Sequence, residues 1–197
     1  MAEIRSALDI ALERTADIVG DKTVADARDM KNKGKKLASE FVTSGKLDDL
    51  SKELSAVSAE HRAFIAEGAI SILLAGLHLP TSAEDIVQLE KTGAALDILV
   101  PETGMVDLFF KISQIFTQYV EEKANLLQAL EQQFTQKLKA KQQEMEARYG
   151  QSVPLNLYQD SEYIAARNKN TRMLDDKFEA VIFEVRFRVR EAAGIEE

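Results

Sequence analysis

The chain has 197 residues, no cysteine, a formal charge of −8 and an apolar fraction of 45%. That length holds one domain or a domain with an extension, and that apolar content is enough for a packed core. Disulfides, thiolate metal sites and cysteine nucleophiles are excluded, and the acidic balance argues against nucleic-acid binding through a general positive field.

With 9 Gly and 3 Pro, most of the chain is free of strong breakers. The N-terminal stretch MAEIRSALDIALER is charged throughout and has no apolar central region, so it does not read as a secretory signal and a cytoplasmic protein is expected. Ile4, Leu8, Ala11, Thr15 and Ile18 share one helical face, with Gly20 as the expected stop. A second helix is expected from Thr23 to Thr43, burying Val24, Ala27, Met30, Ala38, Phe41 and Val42. Gly34 falls on that face and Gly45 follows as a C-terminal cap.

Leu47, Leu50, Leu54 and Val57 continue in steps of three and four. Residues 46–79 therefore read as one helix, or as two joined near Ser58, which is suited to cap the second. Phe64 to Leu79, FIAEGAISILLAGLHL, is the most apolar stretch of the chain. It is shorter than the roughly 20 apolar residues of a membrane span, and Glu67 and Pro80 bracket it, so it reads as a helix buried in a bundle. Glycine costs roughly 1 kcal/mol relative to alanine inside a helix, so Gly68 and Gly76 predict close helix crossings. Thr81 and Glu84 form an S/T-x-x-E capping box. The helix it opens places Ile86, Leu89, Gly93, Leu96 and Val100 on one face and stops near Pro101.

The longest helical pattern runs from about Thr103 to Tyr149. Residues 150–159 break it, Asp160 or Ser161 caps the last helix, and Gly194 ends it. If these two helices fold back about Pro154, Leu130 faces Phe178, Phe134 faces Leu174 and Val120 faces Val189. Glu131 then meets Lys177, Arg148 meets Glu162, and Glu121 and Glu122 lie near Arg186 and Arg188. Phe183 to Arg190 alternates apolar and polar like a strand. No other stretch alternates well enough to pair with it, so it is expected to be helical.

Chemistry is thinly represented. Neither His61 nor His78 has a glutamate three residues before it, which a ferritin-like di-iron site requires, and no zincin, Walker or dinucleotide motif occurs. Adjacent carboxylates such as Asp48-Asp49, Glu121-Glu122 and Asp175-Asp176 point about 100° apart on a helix, which suits a solvated face. Two basic clusters, Arg28 with Lys31, Lys33, Lys35 and Lys36, and Arg186 with Arg188 and Arg190, lack the interleaved aromatics of a single-strand platform. The turn between the long helices carries Val153, Leu155, Leu157 and Tyr158. On a projecting hairpin these four form an exposed apolar contact surface.

The sequence thus predicts an all-α fold within one domain. Residues 1–101 form a short-helix part around the buried apolar helix, and residues 102–197 form a long antiparallel helical hairpin. The function expected is that of a non-enzymatic scaffold or adaptor acting through protein–protein contacts and associating with itself. No cofactor, no metal and no membrane span are expected. The alternatives are a ligand- or metal-binding bundle with a pocket near the 64–79 helix, beside Gly68 and Gly76, using His61 or His78, and a weak nucleic-acid contact through the basic clusters.

Overall fold

The computed structural model describes residues 7–150 and 155–195, with side chains from residue 24 onward. Among these residues all regular structure is helical: α1 (Ala7–Ser44), α2 (Leu47–Ser55), α3 (Ala59–Ala75), α4 (Ala83–Leu99), α5 (Met105–Tyr149), a single 3-10 turn at Leu157–Gln159, and α6 (Ser161–Ala193). The all-α expectation holds, and Phe183 to Arg190 is helix. Gly20 does not stop a helix: α1 runs through it. One glycine costs roughly 1 kcal/mol, which a long helix absorbs. Of the expected first face, Ile4 and the side chains of Leu8, Ala11, Thr15 and Ile18 lie outside the described residues.

The caps follow the sequence with one shift. Gly45 ends α1 with φ +70° and donates its N–H to Phe41 O at 2.7 Å. Residues 46–79 hold two helices, and Ser58 caps the second by accepting from His61 N. The box that opens α4 lies one residue beyond Thr81 and Glu84. Asp85 accepts from the backbone N–H of Thr81 and Ser82 and from Thr81 Oγ1, while its own N–H donates to Ser82 Oγ. Asp160, rather than Ser161, caps α6 by accepting from Tyr163 N.

By contact the chain divides into two compact units, one of Met1–Leu77, Lys91–Val106 and Arg190–Glu197, the other of His78–Glu90 and Asp107–Val189. Both draw on residues from either side of Pro101.

In the first unit α3 is deeply buried. Ile65, Ala66, Gly68, Ala69, Ile70, Leu73 and Leu74 are all buried, as expected for the apolar stretch. It crosses α1 antiparallel, backbone against backbone. A Cβ added at Gly34 would collide with the carbonyl of Ile65, and one added at Gly68 would collide with the carbonyl of Lys31. The two glycines are thus halves of one crossing. Around it Lys31 Nζ pairs with Glu67 at 2.6 Å and Lys33 Nζ with Glu53 of α2 at 2.8 Å. Gly76 takes part in no crossing: it is the exposed C-cap of α3, and a Cβ there meets only ordinary contacts. On α1, Ala38 and Phe41 are buried as expected, but Val24 and Val42 are exposed. Phe41 and Val42 are neighbours about 100° apart on the helix, so a face centred on Gly34 and Phe41 turns Val42 away.

In the second unit α5 and α6 run side by side in opposite directions. Tyr119 packs on Phe178 with ring centroids 5.0 Å apart, and Phe134 on Tyr163 at 5.6 Å. The register differs from the expected one. Phe178 faces Tyr119 rather than Leu130, and Leu130 clusters with Phe134 and Tyr163. Lys177 meets Glu122 rather than Glu131, while Arg148 and Arg188 pair within their own helices with Glu144 and Glu184. The displacement is about three helical turns. The described residues before α6 agree with this shift. Leu157 packs against the Leu130 cluster and Tyr158 bonds to Glu131, so the residues just before α6 already lie beside α5 about four to five turns short of its end. Eleven residues make close to three whole turns, so both registers bury the same face of each helix. Apolar pairing alone does not distinguish them.

Candidate functional site

The helical periodicity of α6 produces a buried apolar stripe and, on the far side, a largely apolar one interrupted by Asp176. Tyr163, Phe178, Ile182, Val185 and Val189 are buried. On the opposite side Met173, Asp176, Ala180, Phe183 and Phe187 step by three and four, the spacing of a helix–helix seam. Met173, Phe183 and Phe187 are 63%, 71% and 53% exposed. Large aromatic side chains left in water at helical spacing are typical of contact surfaces. Charges flank this outer stripe, with Lys177 and Glu184 along one edge and Arg172, Glu179 and Arg186 along the other. Glu184 accepts from Arg188 Nε at 2.7 Å, and Lys177 Nζ lies 3.6 Å from Glu122.

The sequence reading did not single out this surface, yet its signal was visible. The strict alternation of residues 183–190 suggests a strand, but wound as a helix it places Val185 and Val189 inside and Phe183 and Phe187 outside.

The inner face of the α5/α6 pair carries a polar triad. Tyr119 Oη donates to Asp175 Oδ1 at 2.6 Å, and Lys123 Nζ donates to Tyr119 Oη at 2.6 Å and to Asp175 Oδ1 at 3.0 Å. Burial, reinforced by Asp175, pushes the Tyr119 hydroxyl above its ordinary range. Burial opposes the Lys123 ammonium, but the hydrogen bonds to Tyr119 and Asp175 outweigh it and hold the amine above its usual range. Every member is partnered, and the chemistry this supports is a register lock between the helices. Beside it lies a charged groove of about 550 Å³ that includes Arg167, Thr171, Arg172 and Asp176.

At the turn, Val153 lies outside the described residues. Leu155 is half-buried. Leu157 packs on Leu130, Phe134 and Tyr163. Tyr158 is exposed, but its ring stands edge-on to Tyr163 at 5.9 Å and its hydroxyl lies 3.2 Å from Glu131 Oε1. That carboxylate raises the Tyr158 pKa.

The first unit contains a cleft of about 620 Å³ on α3, lined among others by Phe64, Glu67, Ile70, Leu99, Val100 and Ile195. None of Gly68, Gly76, His61 and His78 lines it: Gly68 is closed by α1, His61 is half-buried beside the α3 cap, and His78 is exposed. In the first basic cluster Lys31, Lys33 and Lys36 each lie beside a carboxylate, Glu67, Glu53 and Glu40 respectively. Among the described residues there is no group of three or more metal-ligating side chains, and no helix is long and apolar enough to cross a membrane.

Comparison with curated proteins and with solved structures finds no match. A family model does match residues 51–191, from α2 to the last turns of α6, about seven-tenths of the sequence. The chain belongs to that family, a family of unknown function designated DUF6657.

Proposed function

We propose that this protein is a non-enzymatic helical scaffold or adaptor that acts through protein–protein contacts and associates with itself. The observation that carries the reading is the outer stripe of α6, where Met173, Phe183 and Phe187 stand in water on a helix whose opposite face is already packed. A helix needs one apolar face to join its own bundle, so a second implies a further surface to pack against. Leu155 and Tyr158 at the turn keep accessible surface and offer a smaller second contact point, while Leu157 is committed to the local core. Light scattering across a wide concentration range tests the reading. Mass rising with concentration is the expected result, and a monomer at every concentration counts against self-association.

The cleft on α3 favours a second reading, a small-molecule site in the first unit. Glu67, which Lys31 holds at 2.6 Å, is the one charged side chain among the residues that line it. A small molecule retained through purification, and lost on filling the cleft by Ala63→Trp at its exposed wall, is the outcome that supports this reading.

A further inference from the structure

We propose that a second copy of this chain docks antiparallel on the outer face of α6, with the two-fold axis level with Val181 and Ile182. The inference rests on the self-association reading and supplies its geometry. From Met173 to Phe187 the stripe is about 21 Å long, two heptads. Two such stripes laid together in opposite directions place Phe183 of each copy on Ala180 of the other, large against small. Phe187 closes each end beside Asp176.

The edges select this arrangement. In an antiparallel pair each edge of one helix meets the same edge of its copy. With the axis at Val181 and Ile182, Lys177 meets Glu184 of the second copy and Glu179 meets Arg186, and symmetry repeats both pairs. Sliding the axis by half a heptad toward the C-terminus stacks Phe183 on Phe187, but it also sets Glu184 against Glu184 and Arg186 against Arg186. A parallel pair sets Asp176 against Asp176, Glu179 against Glu184 and Arg172 against Lys177. Exposed pairs contribute little energy, so the charges choose the register while the aromatic burial supplies the attraction. Between two copies no linker acts, and side-chain pairing decides the register. Two heptads bury an area at the low end of specific interfaces, so the dimer depends on concentration.

The absence of cysteine makes the test direct. Two single-thiol variants, Ala180→Cys and Met173→Cys, are treated with a short bismaleimide. In this geometry the two 180 positions lie near the axis, whereas the two 173 positions are about 25 Å apart along the helices. Crosslinked dimer is expected for Ala180→Cys alone; equal crosslinking of both overturns the antiparallel register. By sedimentation, Phe183→Asp should weaken the dimer about tenfold or more, with helix content unchanged because that side chain is exposed. Lys177→Glu should weaken it about threefold, and adding Glu184→Lys should restore it. A dimer indifferent to Phe183→Asp leaves self-association standing and overturns this face. A monomer at all concentrations overturns both.

Discussion

The α1/α3 crossing and the α5/α6 pair are both antiparallel helix contacts, but they are held by opposite means. At the first, Gly34 and Gly68 remove side chains so that backbone meets backbone. At the second, Tyr119, Phe178, Phe134 and Tyr163 fill the space between the helices. A glycine crossing depends on two absent atoms, so adding one is costly. An interdigitated pair spreads its stabilisation over many contacts, and losing one is tolerated.

The sharpest test of that contrast is Gly68→Val. The added atoms must displace the Lys31 carbonyl, and overpacking of this kind costs about 3 kcal/mol or more. For a chain of this size that lowers Tm by about 6–12 °C, measurable by calorimetry. Gly34→Ala should behave similarly, since its Cβ meets the Ile65 carbonyl. A change below about 1 kcal/mol at both positions would show that α1 and α3 part readily and that the crossing holds little.

On the other pair, Tyr119→Phe keeps the ring on Phe178 and removes only the hydroxyl that Asp175 and Lys123 share. A net loss of about 1–2 kcal/mol is expected. Leu157→Ser should cost a similar amount by uncovering the Leu130 cluster. No loss at Leu157 would return that side chain to the exposed contact surface expected from the sequence.

Much of this was legible in the sequence because it is local. Gly45, Pro101, Gly194 and the run from about Thr103 to Tyr149 are read from spacing and breaker chemistry, and each bounds or fills a helix as expected, whereas α3 stops at Ala75, short of Pro80. Gly34 and Gly68 were visible as costly residues on buried faces, though nothing local showed that they face each other. The α5/α6 register was not legible, because an eleven-residue shift returns a helix to the same face, and no local pattern shows that Leu157 and Tyr158 lie against Leu130 and Glu131. The outer stripe of α6 is hidden for a related reason: the alternation reads as a strand, whereas the helix it forms buries only every other apolar residue. Gly76 misled because a glycine near a helix end serves as a cap as readily as a crossing.

The capping box of α4 gives a smaller effect with a defined sign. Asp85 is held below the usual carboxylate range by hydrogen bonds from the Thr81 and Ser82 backbone and the Thr81 hydroxyl, with some help from His78. A depressed folded-state pKa means stability that is present above the unfolded value, roughly pH 4, and lost as pH falls through the folded value. Asp85→Asn should therefore lower Tm at neutral pH and flatten its fall between roughly pH 5 and 3. Asp85→Ala should cost about 1 kcal/mol.

The smallest effect, Gly76→Ala, completes the contrast between glycines. Gly76 sits at φ −76°, where alanine is comfortable, and its added Cβ meets only Leu73 O at 3.5 Å and Ile72 O at 3.7 Å. Replacing such a glycine reduces the freedom of the unfolded chain and stabilises by about 0.4–1 kcal/mol. The same one-atom change is thus expected to raise Tm slightly at Gly76 and to lower it steeply at Gly34. Since both are glycine-to-alanine replacements in the first unit, differences in helix propensity are too small to account for opposite signs. Loss of stability at both positions would mean that Gly76 also faces a close neighbour, and that the crossing of α1 on α3 is not what sets Gly34 apart.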